Sequence, residues 1–70
     1  MNDGTYEAIV VDAERVASGV RLELAITAGP HKGDVVAVHA THLTMDPIET
    51  LGIPARIVVM NDIPRVALEP

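Results

Sequence analysis

The sequence predicts a small all-β barrel of five strands, with one short helix between the third and the fourth. Three observations predict it. Runs of aliphatic and β-branched residues recur along the chain, separated by Gly, Pro, Asn and Asp, the pattern of short strands joined by tight turns. Within Val20–Thr27, residues Val20, Leu22, Leu24 and Ile26 fall on one face and Arg21, Glu23, Ala25 and Thr27 on the other, the period of a half-buried strand. Only at Met45–Gly52 does the pattern change to that of one or two helical turns.

The first strand is expected over Tyr6–Ala13. Its continuous apolar stretch Ala8–Val11 calls for burial on both sides, or for a bulge that lets one strand serve two halves of a sheet. Ser18-Gly19 has the chemistry of the turn that leads into the second strand, Val20–Thr27. Val35–Thr41 is the third strand, apolar on both faces. In the helix, Asp46 is placed to accept the first free amides as N-cap, Pro47 suits the first helical position and Glu49 completes a capping-box pattern. Gly52 can end the helix in a left-handed conformation. Ile48 and Leu51, three apart, are expected to share a face that points into the core. Ala55–Met60 is the fourth strand, Asn61-Asp62 a tight turn and Ile63–Leu68 the fifth. Pro64 cannot donate to a ladder and marks an edge or the start of that strand. Residues 1–70 read as one domain, without repeats or low-complexity segments.

Three antiparallel strands, a helix and a closing hairpin is the order of the OB-fold, a partly open five-stranded barrel. An SH3-like small barrel is the alternative, but its helical element usually falls later, just before the last strand. Gly4-x-Tyr6-x-Ala8-x-Val10 and Leu22-x-Leu24-x-Ile26-x-x-Gly29-x-x-Lys32-Gly33 resemble small OB-type proteins of phage and bacterial replication neighbourhoods, several of them similar to single-stranded-DNA-binding proteins. The likeness covers roughly the first half of the chain. It implies a binding module that uses the face of the second and third strands.

Bulk composition narrows the function classes. The chain has 70 residues, ten acidic and five basic side chains, no cysteine, and Tyr6 as its single aromatic. A core this small supplies only about 3–5 kcal/mol, so small scaffolds often lean on disulfides, metals or association. Without cysteine, disulfides and thiolate zinc sites are excluded, and a homo-oligomer is expected. A formal charge of −5 opposes phosphate backbones, whose affinity comes largely from cations that release counterions. Few aromatics also mean few platforms on which bases stack. The polar, acidic start Met1-Asn2-Asp3-Gly4 lacks the basic and apolar regions of a signal peptide, and no apolar run approaches a membrane span. A cytoplasmic chain, complete or nearly so, is expected, without a membrane partner.

The stretch Gly29-Pro30-His31-Lys32-Gly33-Asp34 holds the only lysine. A phosphate-binding loop needs G-x-x-x-x-G-K-[ST] between a strand and a helix. Here the glycines are four apart, Lys32 precedes the second, and a strand follows. A hairpin corner accounts for every residue, with His31 and Lys32 as an exposed, locally positive tip. His39 and His42 lie three apart, which opposes them on a strand, so a zinc site would require a distortion near Thr41. Tyr6 at a strand start buries its ring and leaves its hydroxyl wet. Arg21 and Glu23 suit a surface ion pair, and Arg21, Arg56 and Arg65 a weak basic stripe. The candidate ligand-binding residues are Arg21, Thr27, His31, Lys32, His39 and Arg56, with no catalytic set, no metal site and no cofactor.

The expectation is a non-enzymatic OB-type module for single-stranded nucleic acid, weakly held given the acidic charge, or for a replication-type partner protein. The alternative is an oligomeric assembly or adaptor protein without nucleic-acid binding. Its support is the apolar character of both faces at Val35–Val38 and Ile57–Met60, since an exposed apolar patch marks an interface.

Overall fold

The computed structural model describes residues 2–41 and 43–69. Among them the chain forms strands β1 (Gly4–Val16), β2 (Gly19–Ile26) and β3 (Val35–Ala40), a one-turn helix α1 (Pro47–Thr50), and strands β4 (Pro54–Met60) and β5 (Ile63–Leu68). All neighbouring strands are antiparallel, in the order β3-β2-β1-β4-β5. The sheet curls into a half-barrel, which brings its two end strands towards each other. The short helix falls between β3 and β4, as the strand pattern predicts.

The alternating run in β2 supplies the centre of the core. Val20, Leu22 and Leu24 are fully buried and Ile26 nearly so, while Arg21 is exposed and Glu23 and Ala25 are half-exposed. Val20, Leu22 and Leu24 pack with Ala8 and Val10 of β1, Val38 of β3, and Ala55, Ile57 and Val59 of β4. β1 does serve both halves of the sheet. Gly4–Ile9 pairs with β4 and Ala8–Val16 with β2, so that Ala8 and Ile9 belong to both ladders. The register slips between Val10 and Asp12, leaving Val11 as the extra residue of a bulge, half exposed. That slip bends the strand so that the apolar stretch Ala8–Val11 need not be buried throughout.

Two turns show why their residues are there. Asn61 and Asp62 have φ of 54° and 64°, the paired positive values of a two-residue type I′ hairpin turn. The Gly29–Asp34 corner ends in a bulge of a different kind. Gly33 N donates to Ile26 O at 2.8 Å and Ile26 N to Asp34 O at 2.9 Å. With Gly33 at φ 94°, this is a G1 bulge, whose first residue must be left-handed. The hairpin reading of this loop holds, with a strand on each side of it.

The helix starts as expected and faces differently. The Asp46 carboxylate accepts from Ile48 N at 3.1 Å, Pro47 stands in the first turn, and Gly52 follows with φ 79°. Among the described residues the Glu49 carboxylate does not close the capping box; instead Glu49 N donates to Asp46 O at 2.9 Å. Ile48 and Leu51 do not point into the core. They are 74% and 46% exposed, and Thr50 is the buried residue. Leu51 already has an extended backbone, so the two never share a helical face. Thr50 can be buried because its hydroxyl donates to Pro47 O at 2.6 Å. Asp46→Ala removes the cap of a helix with a single turn. It is expected to cost about 1 kcal/mol, measured as a shift of the urea midpoint at unchanged slope.

Candidate functional site

The hydrogen-bonding phase of the sheet decides which backbone groups are free. Ile26 exchanges bonds with the Gly33–Asp34 bulge, so by alternation the bonded pairs between β2 and β3 are Leu24–Val36, Leu22–Val38 and Val20–Ala40. The N–H and C=O groups of Val35, Ala37 and His39 therefore point away from β2, to an edge that no strand hydrogen-bonds, although β5 lies close to part of it. At the other end of the sheet, the type I′ turn makes Met60–Ile63 a bonded pair, which leaves Pro64, Val66 and Leu68 on the free edge of β5. Pro64 has no N–H to offer, and so blunts that edge. This accounts for its place in the sequence. The β3 edge carries no such block.

Two surface depressions flank β3 and meet at Val38 and His39. One, of about 450 Å³, lies between the β1–β2 turn and β3, lined by Ala17, Ser18, Arg21 and Ala37 among others. The second, of about 350 Å³, is the seam between β3 and β5, bordered by Thr41, Ile63, Pro64 and Arg65. Arg21 and His39 face each other across β2 and β3. Ser18 Oγ lies 3.2 Å from His39 Nε2. This contact spans 21 residues, and no motif in the sequence announces it. It arises because the Ala17-Ser18 turn brings Ser18 level with the far end of β3. The pair has the reach of a nucleophile and its base, but both side chains are exposed. Among the described residues no carboxylate hydrogen-bonds to the other nitrogen of His39.

The other candidate residues are distributed as follows. Arg21 is held by Glu23 of the same strand at 3.0 Å. Arg56, on β4, contacts Glu7 at 3.6 Å and Glu69 at 3.1 Å. It stands two strands from Arg21, with β1 between them, so Arg21 and Arg56 do not share a stripe. Thr27 and Lys32 are exposed near the far end of β2. His31 is not an exposed tip but half-buried. Its Nδ1 is 3.1 Å from Asp34 Oδ2, and its ring sits edge-on to Tyr6 with centroids 5.7 Å apart. The loop's positive character thus rests on Lys32, beside an acid. The Tyr6 ring packs on the core, and its hydroxyl donates to Asn2 O at 2.6 Å rather than to solvent alone.

No group of three or more His, Asp or Glu side chains among the described residues is arranged to hold a metal ion. His42, the other half of the two-histidine reading, lies outside the described residues. Among the described residues, no helix is long and apolar enough to cross a membrane. No family model matches the chain, and no curated protein or solved structure matches it significantly.

Proposed function

We propose that this chain is a non-enzymatic OB-type binding module whose ligand is another protein. The observation that supports this most is the unclosed side of the half-barrel, where β3 has backbone donors and acceptors that no ladder engages, with β5 lying against only part of that edge. An edge of this kind is a template for an added strand, and main-chain hydrogen bonds there supply affinity. Nucleic acid is the weaker reading. The one aromatic ring is engaged by His31 and the core, which removes it as a stacking platform. Arg21 and Arg56 are engaged by carboxylates, which would have to be displaced before a phosphate is met. An enzymatic reading on Ser18 and His39 has only an open, water-filled surface to work with, where electrostatic stabilisation is weakest. The expected location is the cytoplasm.

Self-association is the second reading. Met60 and Ile63, cross-strand partners at the end of the β4–β5 hairpin, are 64% and 59% exposed. Two measurements separate the readings. Anisotropy of a labelled single-stranded oligonucleotide at low salt is expected to show no saturable binding at tens of micromolar protein, a threshold set as roughly nonspecific affinity. Light scattering is expected to give a monomer. Saturable oligonucleotide binding would overturn the protein-binding reading, and a stable dimer lost on Met60→Lys would replace it with self-association.

A further inference from the structure

Large apolar side chains that the fold leaves in water gather where α1 meets β1. Val11, Ile48 and Leu51 are three of the six exposed large apolar residues among the described residues. The backbone brings them to one place. Residues 50–53 form a type II turn, in which Leu51 has φ −60° and ψ 131°, Gly52 has φ 79°, and Ile53 N donates to Thr50 O at 3.1 Å. The turn lies against β1, with Gly52 N donating to Val10 O at 2.9 Å and Val10 N to Ile53 O at 3.1 Å. Val11 and Leu51 therefore flank one hydrogen bond. The bulge turns Val11 outward, and its corner position in the turn exposes Leu51. Ile48 stands two residues before buried Thr50, on the opposite side of the one-turn helix. A bulge, a turn and a helix that each present an aliphatic side chain at one place mark an interface more than scattered exposure does.

We propose that this face, Val11 with Ile48 and Leu51, docks a segment of a different protein that presents apolar side chains flanked by Lys or Arg. It lies apart from the β3 edge, with β2 between them, and so goes beyond the reading above. Charge decides the occupant. Asp12, Asp46 and Glu49 border the face, all exposed, and none of them has an ion-pair partner among the described residues. The Asp46 carboxylate is fixed there by accepting from Ile48 N. Asp12 stands opposite Glu23, whose charge Arg21 takes up at 3.0 Å, so Asp12 itself stays uncompensated. The cations are placed elsewhere. Arg21 and Arg56 are engaged by Glu23, Glu7 and Glu69. Lys32 lies in the loop after β2 and Arg65 on β5. Arg15 shares β1 but pairs with inward-facing Val20, which puts it on the other face of the strand from Asp12. A two-fold dimer through this face would set its carboxylates against those of the second copy, which disfavours self-association here. An anionic lipid surface is disfavoured for the same reason.

The test uses fluorescein-labelled amphipathic peptides that combine Leu with Lys, Leu with Glu, or Ser with Lys, read by anisotropy at low salt. The Leu/Lys peptide is expected to bind at least about tenfold more tightly than either of the others, a difference of about 1.4 kcal/mol. Ile48→Ser, an exposed change, is expected to weaken it by a similar factor at unchanged melting temperature, and Asp12→Asn combined with Glu49→Gln likewise. Met60→Ser removes another exposed apolar side chain, on the β4–β5 hairpin, and is expected to leave binding unchanged. Amide shifts in isotope-labelled protein are expected at Val11, Asp12 and residues 48–52. If a variant does not fold, the three peptides and the shift map on the unaltered chain decide alone. Equal binding of the Ser/Lys peptide, or equal losses in Ile48→Ser and Met60→Ser, reduces the effect to general charge attraction and overturns the proposal. Equal binding of the Leu/Glu peptide overturns the choice of partner. Shifts confined to residues 35–39, or failure of all three peptides, overturn this face and leave the protein-binding reading standing. A dimer in light scattering that Ile48→Ser disperses replaces the proposal with self-association. Binding of a single-stranded oligonucleotide with none of the peptides overturns both.

Discussion

Leu24→Ala is expected to destabilise the fold by about 3–4 kcal/mol, within the range for emptying a fully packed leucine site. Leu24 is fully buried on the middle strand of the first three, with Val10 on one side and Val36 on the other. Its own strand β2 is hydrogen-bonded to β1 on one side and β3 on the other, so the wall has little freedom to collapse into the space. A core of this size supplies only about 3–5 kcal/mol, so the variant should be largely unfolded at room temperature. Far-ultraviolet circular dichroism and urea titration measure it directly. Ile48→Ala is the matched control. Ile48 is 74% exposed on α1, and its loss should change stability by no more than about 0.5 kcal/mol. Similar losses at the two sites would mean that the packing described for α1 is wrong.

Gly19→Ala is expected to cost about 2–4 kcal/mol, from backbone strain added to a direct clash. Gly19 has φ of 150°, and a Cβ there would stand 2.4 Å from Ala40 O and 3.0 Å from Thr41 Cα. Those are backbone atoms at the end of β3, where Val20 pairs with Ala40, and they cannot swing aside as a side chain would. Gly33→Ala makes the comparison informative. Gly33 also has positive φ, at 94°, but a Cβ there meets nothing within 4 Å. Only the conformational term of about 1–2 kcal/mol applies. If both variants lose the same amount, close approach at Gly19 contributes nothing. A larger loss at Gly19 also bears on the β3 edge, because moving the end of β3 moves Ala40 and its neighbour His39, where the two depressions meet.

The candidate site beside β3 was only partly legible. The sequence offers Arg21 and His39 as candidate ligand-binding residues, and the structure places them opposite each other. The other candidates, Thr27, His31, Lys32 and Arg56, stand apart from the two depressions beside β3. Ser18 and Arg65 border them but carry no local signal of being near His39. Proximity between a turn at residue 18, a strand at residue 39 and an edge at residue 65 depends on how far the sheet curls. That is a property of the bulge at Val10–Asp12 and the packing behind it.

Elements whose residues carry their own geometry were determined by the sequence alone. The alternation of Val20–Ile26 specifies a buried face, because a strand's side chains alternate whatever surrounds it. Asn61-Asp62 specifies a left-handed turn, Asp46-Pro47 a helix start and Pro64 a strand edge, since each follows from the residue's own bonding or steric limits. What only the tertiary structure decided depends on distant partners. Thr50 rather than Ile48 faces inward because one turn of helix offers the core a single direction, and the barrel end sets which one. The extent to which the barrel closes and the unpaired edge of β3 are set by which strands lie side by side, and no local run of residues encodes that.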